Sequence, residues 1–173
     1  MSKRDADFAD YVAARSTWLQ RTAFMMCGNR AQAEDLVQTA LVKLYVAWPR
    51  IQRRDTVDAY ARRTLARVWI DELRRPWRRE TTTDIADFRP DPADGPGQVG
   101  DRIELLQALR RLPDKQRIAV VLRHWQDLSV ADTADVMGCT ASAVKTHTAR
   151  GVAALRTSLG SASSDPILNG DQR

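Results

Sequence analysis

One strip near the middle of the chain limits the fold more than any other feature. Residues 81–101 read TTTDIADFRPDPADGPGQVGD, with Pro90, Pro92, Pro96, Gly95, Gly97 and Gly100 among them. The few apolar residues in the strip have no period, so no buried helix face or strand face can be drawn through it. With Glu80 included, the strip carries a formal charge of −5, whereas residues 1–79 carry +7 and residues 102–159 carry +4. Two basic blocks separated by an acidic, Pro/Gly-rich segment predict two small domains joined by a flexible linker. The boundaries read as 1–75 for the first domain, 76–100 for the linker, 101–159 for the second domain and 160–173 for a disordered tail.

Both blocks are helical in pattern, and neither sustains the alternation of a strand. The fold class is therefore all-α. In the first block Phe8, Val12, Leu19, Ala23 and Met26 share one face, and Gly28 ends that helix. Asn29 caps the next, with Gln32 at its third position. Val37, Leu41, Leu44 and Trp48 form its apolar stripe, and Pro49 stops it. A third helix starts near Asp55, turns Val57, Ala61, Thr64, Leu65 and Val68 inward and fades at Pro76. The second block predicts four helices. Ile103, Leu106 and Leu109 mark the first, closed before Pro113. Ile118, Val121, Leu122 and Trp125 mark the next. Ser129 with Asp132 caps a short third that ends at Gly138, and Thr140 caps the last. Val144, Thr148, Gly151, Leu155 and Leu159 give that last helix its buried face.

Several function classes are excluded early. Cys27 and Cys139 are the only cysteines and His124 and His147 the only histidines, so neither a disulfide framework nor a multi-cysteine zinc site can form. No GxGxxG, GxxxxGK or GxSxG occurs. No catalytic constellation appears, and the chain is read as a non-enzyme without cofactor or metal. His124 reads as a core-edge histidine. No apolar run reaches the roughly 20 residues that cross a bilayer, and residues 1–10 lack the apolar centre of a secretory signal. These features place the chain in the cytoplasm, without membrane insertion.

The strongest local signal runs from Leu128 to Leu155. A short capped helix, SVADTADVMG, is followed within three residues by a longer one, which is helix-turn-helix spacing. Ala131 and Ala134 are small enough for a close crossing, Gly138 permits the turn, and Val144 buries the second helix against the first. Ser142, Thr146, Ala149 and Arg150 lie on the opposite face, with Lys145 and His147 on its flanks. Small and hydrogen-bonding groups suit base edges there, and the cations suit phosphate or guanine.

A second signal is ARRTLARVWIDELRRPWRRE, residues 61–80. Arg62, Arg63, Arg67, Arg74, Arg75, Arg78 and Arg79 are interleaved with Trp69 and Trp77. Cations for phosphates and indoles for unpaired bases make a single-strand groove. A solvated basic face over core tryptophans fits the same residues, and pattern alone does not choose between them. A third segment, AEDLVQTALVKLYVAW, residues 33–48, carries Glu34, Asp35, Gln38 and Lys43 off its apolar stripe. It reads as a docking helix or, more simply, as a solvated face.

In this order, and across an acidic linker, the three segments resemble the sigma-70 family of transcription initiation factors. From Phe8 to Leu159 the chain is similar to the two-domain extracytoplasmic-function (ECF) group, and most of all to its sigma-E-like actinobacterial branch. The resemblance implies an RNA polymerase sigma factor that recruits core polymerase, through its beta and beta-prime subunits, to promoter DNA. It implies duplex reading at −35, strand opening at −10, and an anti-sigma factor as a further partner. AEDLVQTALVKLY resembles the segment that docks on the polymerase clamp, which points to Glu34, Asp35, Leu36 and Gln38. DAYARRTLARVWIDELRRPWRRE resembles the −10 segment, which points to Arg62, Arg63, Arg67, Arg74, Arg75, Trp77 and Arg78, with Ile51 in the preceding loop. The last 45 or so residues before the tail resemble the −35 domain, which points to Ser142, Lys145, Thr146, His147 and Arg150. Many members carry Asn at the position of Arg67 and an aromatic near Ile51, so the −10 base read by this chain is not to be borrowed from relatives. A dimeric helix-turn-helix regulator and an adaptor that binds polymerase without DNA are the rival readings. The first leaves residues 33–80 idle, and the basic faces oppose the second.

Overall fold

The computed structural model describes residues 2–51, 54–75 and 96–160 of the chain. Among the described residues there is no strand, and the chain divides into two compact units.

The first unit is built on three helices. α1 spans Lys3–Cys27, α2 Arg30–Ala47 and α3 Arg54–Leu73. α1 opens on a capping box in which Asp5 N–H donates to Ser2 Oγ (3.2 Å) and Ser2 N–H donates to Asp5 Oδ2 (3.1 Å). It closes at Gly28, whose φ of 71° lies in the left-handed region where a side chain is costly. Asn29 then caps α2, its Oδ1 accepting from Gln32 N–H at 2.9 Å. α2 gives way to a 3-10 turn, Trp48–Arg50, with Pro49 inside it. Helix α2 packs on both α1 and α3. The core is Leu19, Ala23 and Met26 of α1, Leu36, Val37, Ala40 and Leu44 of α2, and Val57, Ala61, Leu65 and Val68 of α3. Trp69 belongs to it as well, at 3% exposure. Phe8 packs edge-on against Tyr45 and Trp48, which joins the start of α1 to the end of α2.

The helices that follow are α4 (Pro96–Arg111), α5 (Asp114–Val120), α6 (Val130–Met137) and α7 (Ala141–Gly160). α4 begins inside the segment read as linker, five residues before the expected domain boundary. Gly160, the first residue of the expected tail, ends α7; the rest of the linker and residues 161–173 lie outside the described residues. After α5 the chain runs through a single π-helical turn, Val121–Trp125, before α6. Asp132 N–H donates to Ser129 Oγ (3.0 Å) at the start of α6, and Ala143 N–H donates to Thr140 Oγ1 (3.1 Å) at the start of α7. Between them Gly138 adopts a φ of 62°. Val144, Gly151 and Leu155 are the buried residues of α7.

Some expectations change here. Trp125 is not core but 43% exposed, because the wider π-helical turn rotates it off the buried stripe of Val121 and Leu122. His124, beside it, is exposed by surface area, although its ring is still partly shielded from water. Of the two small residues expected where α6 crosses α7, Ala131 is exposed and Ala134 is half-buried; a separate close approach, of α7 to α5, occurs at Gly151, where an added Cβ would meet Val120 and Gln116.

Candidate nucleic-acid and polymerase interfaces

Helix α3 separates its cations onto two flanks. Thr56, Tyr60, Arg63, Arg67 and Arg74 fall at helical spacing along one side. Tyr60, Arg67 and Arg74 are exposed there and Arg63 is half-buried. The foot of this stripe is an open cavity of about 300 Å³ lined by Ala47, Arg50, Ile51, Thr56 and Tyr60. Its walls come from two places: the end of α2 with its 3-10 turn, and the first turns of α3. An aromatic ring at the rim, cations in line and a recess below can hold a base and its phosphates.

Arg62 stands on the other flank. Its guanidinium lies over the Trp18 ring of α1, 5.5 Å from the centroid. On the same flank Asp58 accepts from Tyr11 Oη at 3.0 Å and from Arg15 at 3.1 and 2.8 Å. Burial, and then the nearby Asp58 carboxylate, push the Tyr11 hydroxyl well above the usual tyrosine range. Arg62, expected among the DNA-facing cations, makes its ring contact with α1. Arg75 is exposed and pairs with Glu72 at 3.1 Å. Trp77 and Arg78 lie outside the described residues. Arg50, Thr56 and Tyr60 line the cavity without any periodic signal in the sequence: Tyr60 is an isolated aromatic before the arginine run, Arg50 ends the 3-10 turn and Thr56 lies in the first turn of α3.

On α2 the residues expected to dock divide in a similar way. Glu34, Asp35 and Gln38 are exposed, and Glu34 pairs with Arg30 at 3.2 Å. Leu36 is only 2% exposed and packs in the bundle core, so it supports the helix and cannot touch a docked partner. The same outer face continues from Asp35 and Gln38 to Val42 and Val46, which are 65% and 68% exposed. Both valines lie off the stripe of Val37, Leu41 and Leu44, as the helical period places them, and make an apolar patch on the outer face.

On α7, Ser142, Lys145, Thr146, Ala149 and Arg150 are all exposed, with His147 half-buried beside them. They stand opposite Val144, Gly151 and Leu155. The helix starts from Thr140 after a tight turn, so its first two turns project the small and cationic side chains together. That is the form of a helix that can enter a major groove. The described residues hold no cluster of three His, Cys, Asp or Glu able to bind a metal, and no helix long and apolar enough to cross a membrane.

Comparison with known proteins matches both units. The "Sigma-70 region 2" family model covers residues 11–79 and the "Sigma-70, region 4" model covers residues 102–155. The chain belongs to the sigma-70 family. It is 36% identical over 156 residues to an RNA polymerase sigma-E factor of Streptomyces avermitilis, a match over 88% of this chain and 85% of that one. It is 32% identical over 142 residues to the ECF RNA polymerase sigma factor SigM of Mycobacterium tuberculosis H37Rv, over 82% of this chain and 71% of the other. The fold is shared with the sigma factor RpoE solved in complex with the anti-sigma factor NepR from Bartonella quintana. That match has a TM-score of 0.67 at 24% identity and covers 91% of this chain and 99% of the other. The protein is an RNA polymerase sigma factor of the ECF kind, acting in promoter-specific transcription initiation.

Proposed function

We propose that this sigma factor works by placement and performs no chemistry of its own. Residues 1–75 dock on core polymerase and take one strand of the opening −10 element, residues 76–100 link the halves, and residues 101–159 hold the −35 duplex. The polymerase surface is the outer face of α2: Glu34, Asp35 and Gln38 followed by Val42 and Val46. Its partner presents polar groups at one end and an apolar patch at the other, as a helical segment of the clamp can.

The observation that carries the −10 assignment is the cavity at the foot of the α3 stripe. A base leaving the stack costs a few kcal/mol and needs a pocket and a stacking surface to offset that cost. Ile51, Arg50 and Thr56 surround such a pocket, and the Tyr60 ring stands at its rim. Arg63, Arg67, Arg74 and Arg75 follow the backbone away from it. The −35 contacts are Ser142, Lys145, Thr146, His147 and Arg150. Weak contacts at each site suffice, because two linked sites raise each other's effective concentration. An anti-sigma factor that masks the α2 face completes the scheme.

The test is run-off transcription with purified core polymerase on fragments of the native genome, with and without this protein. New starts that need the protein support the reading, and their upstream sequences define both elements. Tight binding of duplex DNA by the protein alone, with no new starts, overturns it in favour of a dimeric regulator.

A further inference from the structure

The cavity at the start of α3 is braced from behind by α1. Tyr11 contacts a residue next to each of its walls, Trp48 on one side and Asp58 on the other. The Tyr11 ring packs on Trp48 at 5.3 Å between centroids, and Trp48 opens the turn that carries Arg50 and Ile51. The Tyr11 hydroxyl donates to Asp58 at 3.0 Å, and Asp58 stands between Thr56 and Tyr60 in the chain but on the opposite flank of the helix. Arg15, one turn further along α1, grips the same carboxylate with two parallel bonds, Nε to Oδ1 at 3.1 Å and Nη2 to Oδ2 at 2.8 Å. One turn beyond Asp58, Arg62 over Trp18 ties α3 to α1 again. We propose that Asp58, held by Tyr11 and Arg15, is a positioning residue that fixes the two walls of the cavity relative to each other and so sets which base the cavity accepts.

The physical case rests on geometry. An exposed ion pair adds little stability, and Arg15 is half exposed. A bidentate pair does restrict direction, however, and a third bond from a half-buried tyrosine restricts it further. Tyr11 keeps its proton throughout the ordinary pH range, because burial and Asp58 both oppose its ionisation, so it remains a donor. A pocket that must distinguish bases needs walls held to about half an ångström. None of the three bracing groups lies in the cavity. They act through Trp48 and through the first turns of α3.

The proposal rests on the cavity being the base pocket, so the experiment separates the two ideas. Holoenzyme is assembled from core and full-length protein. Its affinity is measured for forked DNA carrying a promoter found by run-off transcription, with each of the four bases in turn at the captured position. Asp58→Asn and Tyr11→Phe, the latter losing only a hydroxyl, are each expected to reduce the preference for the best base roughly 3- to 10-fold, the worth of one net hydrogen bond. Affinity for core is expected to stay as it was. Arg15→Ala combined with Asp58→Ala is expected to be no worse than either alone. An equal loss for all four bases overturns the proposal, since that is the mark of a merely weakened fold. Full discrimination in both Asp58→Asn and Tyr11→Phe overturns it too, provided Tyr60→Ala abolishes capture. If Tyr60→Ala also leaves capture intact, the base-pocket reading itself fails, and the proposal falls with it.

Discussion

Gly151 sits where α7 crosses α5, and replacing it with alanine tests that crossing directly. A Cβ added there would stand 2.6 Å from Val120 Cγ2, 3.2 Å from the Gln116 carbonyl oxygen and 3.5 Å from Gln116 Cβ. Neither of the first two can step aside alone. Val120 is buried and β-branched, so its rotamer is stiff, and the carbonyl is part of the α5 backbone. Forcing a methyl into such a contact costs about 1–3 kcal/mol. Against this, alanine in a helix interior gains roughly 1 kcal/mol over glycine. The expected net effect of Gly151→Ala therefore runs from nearly neutral to a loss of about 2 kcal/mol.

Gly100, in α4, supplies the control. A Cβ there meets nothing within 4 Å. Gly100→Ala collects the helix gain without the clash and is expected to stabilise by roughly 0.5–1 kcal/mol. The difference between the two variants isolates the crossing at about 1–3 kcal/mol. Urea unfolding, with the slowest-exchanging α7 amides as a local readout, measures both in the same unit. A Gly151→Ala protein stabilised as much as Gly100→Ala would refute the close approach of α5 and α7.

Other substitutions check separate parts of the structure. Leu36→Ala is expected to cost about 2–5 kcal/mol by thermal or urea unfolding, whereas Asp35→Ala and Gln38→Ala change stability by less than about 0.5 kcal/mol and weaken core binding instead. Asn29→Ala removes the bond to Gln32 N–H and should cost about 1 kcal/mol, read as faster exchange in the first turn of α2. His124 has its pKa lowered by desolvation first and by Arg123 second, so the folded state favours the neutral ring. Its contribution is present above the unfolded histidine pKa and is lost as pH falls through the lower folded value. His124→Gln should flatten that part of the stability–pH curve, and an unchanged curve would assign the pH dependence to other groups.

Helix ends were the most legible part of the fold, because capping is local chemistry. Ser129, Asn29 and Thr140 each place an oxygen within reach of an amide a few residues on, and each does so in the structure. Gly28 and Gly138 were readable for the same reason. How far a helix face is covered was less legible. The helical period separates Val37 from Val42 and Val46, but Leu41 and Trp48, on the same stripe as Val37, are only half-buried, because the neighbours that α1 and α3 provide decide how far each is covered. Trp125 leaves the stripe that periodicity draws because the count of 3.6 residues per turn fails in a π-helical turn, and nothing in VLRHW announces one.

The arginine run shows why composition could not resolve the site. Seven arginines between residues 62 and 79 look like one basic patch. In the helix, adjacent residues point about 100° apart, so Arg62 and Arg63 cannot serve the same surface. Arg62 lies over Trp18 and braces α3 against α1, while Arg63 falls on the helical stripe of Tyr60 and Arg67. A cation can thus contribute to nucleic-acid binding in two unlike ways: by meeting a phosphate, or by holding still the helix that does. The two are separable by salt. Removing a phosphate contact lowers the salt slope of DNA binding by roughly one counterion. Removing a brace lowers affinity and leaves the slope as it was. Arg67→Ala is expected to show the first signature and Arg62→Ala the second. A lowered slope for Arg62→Ala would return that residue to the DNA surface.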